Sequence, residues 1–142
     1  MKEKRDNPQP LGPICNKVIE ELGRLIGPEL VRVYGGLRDC TIDTKRPDVI
    51  RVMKERGKSE WIGSYGSGSV WISEETRRME AGDIVVPLEL KDMKIREMKD
   101  YGCAIEEVHE YKDFGVSHIH GVCPIIDPRR FARLVAKSGE QF

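Results

Sequence analysis

The chain has no excess of either charge. Lys plus Arg number 24 and Asp plus Glu also number 24 among 142 residues, so no long-range field draws it to a polyanion or an acidic bilayer, and nucleic acid is disfavoured as a partner. It has no run approaching about twenty apolar residues, and the opening Met1-Lys-Glu-Lys-Arg5 leads into no apolar signal core. No membrane span or secretory leader is expected, which predicts a cytoplasmic location. The four cysteines, Cys15, Cys40, Cys103 and Cys123, include no CxxC pair. Zinc-ribbon spacing is therefore missing, and in a reducing compartment buried free thiols are the expectation. Amides are scarce, only Asn7, Gln9, Asn16 and Gln141, which beside abundant Glu, Lys and Arg is a composition often found in heat-adapted proteins.

What is present suffices for a core. Hydrophobic residues make up 39% and charged residues 34%, and this length buries an apolar interior without a structural metal or disulfides. Residues 1–12, polar and rich in proline, read as a flexible N-terminal arm, and 13–142 as one domain. Ile14, Val18, Ile19, Leu22, Leu25 and Ile26 recur at helical spacing between Pro13 and Gly27-Pro28. Leu30 to Tyr34 and Cys40 to Asp43 alternate as strands, and Pro47 opens a helix that Gly57 ends. Trp61 to Tyr65 and Ser69 to Ile72 flank a glycine-rich turn and predict a hairpin, with Trp61 and Ile72 inward and Trp71 outward. An exposed indole there would mark a ligand or partner surface.

Further on, Ser73 is expected to cap a short helix through Met79, ahead of a strand over Asp83 to Leu90 in which Pro87 suggests an edge or bulge. A helix from Asp92 to Gly102, strands over Cys103–Tyr111 and Val116–Ile126, and a last helix opened by Asp127-Pro128 complete the order. Ile50 to Gly57 matches Ile95 to Gly102 at five of eight positions. This echo is either a duplicated βαβ unit or two amphipathic helices of similar composition. The expected fold is α+β, a ferredoxin-like two-layer sandwich with a mainly antiparallel sheet and its helices on one face. A three-layer α/β arrangement is the alternative.

The chemistry concentrates near the C-terminus, where all three histidines lie. If Tyr111 to Gly115 turns a hairpin, residues whose numbers sum to 227 pair, which sets His109 opposite His118 and Glu107 opposite His120. Alternation then puts all four on one face with β-carbons about 5 Å apart, a ligand set for zinc first, or for divalent iron, nickel or cobalt, with no cofactor as the alternative. A slip of one residue would separate them, and histidines also serve on strands as half-exposed packing residues. His118 and His120 are candidate ligands or proton carriers. Cys123 faces away in this register unless Gly121 carries a bulge; it is a candidate nucleophile or, more simply, a buried side chain.

A second candidate site is the loop Ser64, Tyr65, Gly66, Ser67 and Gly68, whose amides and hydroxyls suit an anion. Arg51 is a cationic partner in a segment, Lys45 to Lys58, that carries six basic residues against Asp48 and Glu55. It fits no nucleotide-binding fingerprint, and a plain flexible turn is the simpler reading. The functional expectation is a small enzyme or enzyme subunit acting on an anionic metabolite with help from a histidine-bound metal. The alternative is a non-catalytic ligand-binding, regulatory or assembly module that forms a homo-oligomer.

Overall fold

A computed structural model describes residues 4–5, 10–58 and 68–137. The elements are β1 (Lys4–Arg5), α1 (Pro13–Ile26), β2 (Val31–Gly35), β3 (Cys40–Thr44), α2 (Pro47–Glu55), β4 (Gly68–Ser73), β5 (Arg78–Pro87), α3 (Lys91–Tyr101), β6 (Ala104–Tyr111), β7 (Val116–Pro124) and α4 (Pro128–Ala136). They build an α+β fold on one sheet, ordered β1-β2-β3-β4-β5-β7-β6. The six longer strands are antiparallel throughout, and the two-residue β1 adds in parallel to β2.

This order is not ferredoxin-like. β3 and β4, which bracket α2, are antiparallel neighbours and so do not form a βαβ unit. β5 and β6 both run against β7, which lies between them, so β5-α3-β6 is a split crossover. The eight-residue echo therefore marks two helices closed by left-handed glycines, Gly57 at φ 68° and Gly102 at φ 111°, inside units of different topology.

Nor do all helices share a face. Ile84 and Val86 join the large core formed with α1, α3 and α4, where Leu22, Met98 and Phe131 are buried. Val85, between them, packs with Val49 and Met53 of α2 and with Val116. Because neighbouring residues of a strand project to opposite sides, α2 covers the reverse face, and only one end of it.

Local sequence explains most of these elements. Helix α1 buries Ile14, Cys15, Val18, Ile19 and Leu22, and its open N-terminus is capped from a distance: buried Glu74 accepts from Ile14 N at 3.3 Å and Cys15 N at 2.7 Å. Asp127 caps α4 as expected, accepting from Arg129 N at 3.1 Å. The helix expected over Ser73 to Met79 is instead the turn joining β4 to β5. Ser73 Oγ accepts from Thr76 N at 3.2 Å, and Arg77 adopts φ 58°, so the capping preference of serine is used in a turn. The strand expected from Asp83 begins earlier, at Arg78.

Of the hairpin expected between Trp61 and Ile72, the first strand lies outside the described residues, which omit 59–67, and the second is β4, paired with β3 and β5. Of the N-terminal arm, Leu11 is buried and Gly12 N donates to Arg38 O at 2.9 Å, so this part is tied to the domain.

Among the described residues two cations, Arg46 and Lys94, are fully buried. Arg46 donates to Val85 O at 3.1 Å, and burial lowers its pKa to about 10. Lys94 donates to Leu134 O and Lys137 O at the end of α4 and to Glu97. Burial, reinforced by the charge of Arg46, lowers the pKa of Lys94 to about 7. Both ammonium and guanidinium take backbone carbonyls as partners, which is how buried charge is tolerated.

Candidate metal centre on the open face of the sheet

The β6-β7 hairpin turns where Gly115 N donates to Tyr111 O at 2.9 Å, with Gly115 at φ 73°, a conformation that costs glycine little. The turn sets the register: His109 lies opposite His118 and Glu107 opposite His120. On the other side β5 places Asp83 opposite His120 and Val85 opposite His118. Alternation therefore presents Asp83, Glu107, His109, His118 and His120 on the side that α2 leaves largely open.

These side chains form two groups with His120 in common. Asp83, His118 and His120 can each offer a donor atom with all three within 4.8 Å of one another, and so can Glu107, His109 and His120. Donor atoms on a zinc ion with bonds of 2.0–2.2 Å stand roughly 3.5 Å apart, so loading either group needs only small side-chain shifts. The groups differ in cover. Side-chain exposure is 15% for His118, 30% for Asp83 and 32% for His120, but 45% for His109 and 62% for Glu107. Cover thus falls from the flank under α2, where the Tyr111 ring stands edge-on to His118 at 4.7 Å, toward the outer strand β6.

His118 is the most covered member of the first group, with a side-chain exposure of 15%. Its Nδ1 lies 3.1 Å from Asp83 Oδ2, which selects the tautomer carrying its proton on Nδ1 and leaves Nε2 with a lone pair. That Nε2 is buried and has no hydrogen-bond partner among the described residues, whereas Asp83 Oδ1 lies 3.1 Å from His118 Nδ1 and 3.8 Å from His120 Nε2. Buried polar atoms without partners are uncommon. A divalent ion that displaces the proton between His118 Nδ1 and Asp83 would bridge the two, because metal binding requires its ligands deprotonated. The second group has a looser version, with His109 Nε2 at 3.3 Å from Glu107 Oε1 and the His109 and His120 rings edge-on at 5.5 Å.

Known proteins offer no guide here. The chain matches no protein family, no curated protein and no solved structure.

The other candidate residues fall elsewhere. Cys123 is fully buried in the large core, on the side away from the histidines, and is bonded to Cys103. The expectation of four free thiols is thereby corrected, and a sulfur held in a disulfide is not a nucleophile or a metal ligand. Cys15 and Cys40 are free and buried. The Cys40 thiol beside it, burial and Glu74 push the Cys15 pKa far up, so that thiol is unreactive.

Arg51 is exposed on α2 and pairs with Glu55 at 3.0 Å. Gly68 is inside β4, where a β-carbon would meet Asp83 O at 3.1 Å, so it serves close strand packing. Ser64, Tyr65, Gly66 and Ser67 lie outside the described residues. Asp83 was not among the expected ligands. Only its place at the start of an apolar strand hinted at it, and its partnership with His118 depends on β5 pairing with β7 across 35 positions of sequence.

Proposed function

We propose that this protein binds a divalent transition metal, zinc first, through Asp83, His118 and His120, with Glu107 and His109 as the outer ligands or proton carriers of the same centre. The observation that carries this reading is the convergence of donor atoms of Asp83, His118 and His120 within 4.8 Å of one another on one side of the sheet. A metal held by three protein groups keeps positions open, where it would polarise a carbonyl or phosphoryl oxygen or lower the pKa of water. The proposed activity is metal-assisted chemistry on an anionic small molecule. Glu107 and His109, exposed at the rim, are placed to move protons to and from such a ligand.

The test is zinc titration of metal-stripped protein by calorimetry, with elemental analysis of the protein as purified. Wild type is expected to bind zinc. His120→Ala, which removes the ligand common to both groups, should weaken binding at least about 100-fold, and Glu107→Ala about tenfold. Absence of any transition metal, together with no zinc affinity, would overturn the reading.

A non-catalytic binding or assembly module is the second reading. It draws on β6, eight residues long and without a strand on its outer side among the described residues, an edge to which another chain can add. A concentration-dependent change in mass by light scattering would favour this reading.

A further inference from the structure

The open face does not end at the histidines. On β4, Ser69 pairs with Asp83 and Trp71 with Ala81, so Trp71 stands on the Asp83 side, one strand over and two residues along. Its neighbours in sequence, Val70 and Ile72, are buried in the large core, whereas Trp71 is 38% exposed. Around the indole the floor is shallow: Thr41 is opposite on β3, and Ala81 is opposite on β5. With strands about 4.8 Å apart and a rise of about 3.4 Å per residue, the backbone of Trp71 is on the order of 8 Å from that of Asp83. A ring lying on the indole therefore reaches the metal centre through a short link.

We infer that Trp71 is the stacking platform of this centre, and that its ligands are planar aromatic or heteroaromatic anions whose acidic group meets the metal while the ring lies on the indole. The inference rests on the metal reading above and names the class of anion. Charge complementarity selects the acidic group, since a divalent cation with open positions takes an oxyanion. Shape selects the ring. An exposed tryptophan beside residues no larger than Ala and Thr offers a flat apolar surface, and aromatic side chains stack on such rings in preference to aliphatic groups.

Calorimetric titration of the zinc-loaded protein with phenyl phosphate and with methyl phosphate tests this. Phenyl phosphate should bind about tenfold more tightly. Trp71→Ala should remove that ratio while leaving zinc and methyl phosphate affinities unchanged, and Trp71→Phe should keep most of it. Equal affinities for the two phosphates in wild type, or a ratio that survives Trp71→Ala, overturns the inference and leaves metal binding intact. So does zinc binding with no affinity for either phosphate. Failure to bind zinc at all overturns the metal reading, and this one with it.

Discussion

The two sides of the sheet are made by the same strands and carry opposite kinds of residue. On one side Ile84, Val86, Ile119 and Val70 meet three helices and are fully shielded. On the other, the intervening Asp83, His118, His120 and Ser69 are polar and half-exposed, and α2 packs on Val85 and Val116, with Tyr111 and Phe114 beside them. Burial of apolar area drives folding, so the shielded side holds the fold together. The residues of the other side contribute little to that and remain available for a ligand.

This division can be broken by experiment. The largest effect is expected from Phe131→Ala, which empties a fully buried site between α4 and the sheet and should lower the unfolding free energy by about 4 kcal/mol in urea titration. Lys94 should give a pH dependence on the order of 5 kcal/mol. Below pH 7 both folded and unfolded states hold its proton, and the fold bears the full cost of a buried ammonium. Above the depressed folded value of about 7 the native state releases the proton while the unfolded chain keeps it to roughly 10.4. The unfolded state then binds more protons, and stability rises with pH. Cys15, whose folded pKa is raised, acts in the opposite sense in alkali, so Lys94→Met measured beside wild type isolates the effect. A flat difference between the two across that window would refute it.

Reduction of the Cys103–Cys123 bond, or the double change to serine, should cost about 3 kcal/mol, read as a lowered denaturation midpoint. The smallest effect should come from the open side. Without metal, His109→Ala should change stability by less than about 0.5 kcal/mol. A loss comparable to that of Phe131→Ala would mean that the two sides do not divide the work.

Sequence periodicity was a good guide wherever a structure is local. The apolar stripe of α1, the Asp127-Pro128 start of α4 and the Gly102 stop of α3 follow from neighbouring residues, and so does the register of the β6-β7 hairpin, because a short turn, residues 112–115, constrains it. What could not be read was long-range pairing. Nothing near Asp83 announces that β5 will lie beside β7. Nothing near Ser69 announces that β4 will sit between β3 and β5, and nothing in four scattered cysteines selects Cys103 and Cys123. α2 and α3 share a sequence pattern yet cover opposite sides, since the pattern fixes which stripe of a helix is apolar but not which surface receives it.

Glu106 repays a last look. Residues 107 to 111 pair at sums of 227, while Ala104 and Ile105 pair with Val122 and Gly121 at 226, so Glu106 is the single supernumerary residue of β6. Ahead of it, odd-numbered Ile105 and Cys103 belong to the interior; beyond it, odd-numbered Glu107 and His109 belong to the ligand side. One inserted carboxylate thus lets a single strand serve two masters. Deleting it would force a choice between closing the cystine and presenting Glu107 and His109 beside His120, because a strand of strict parity cannot do both.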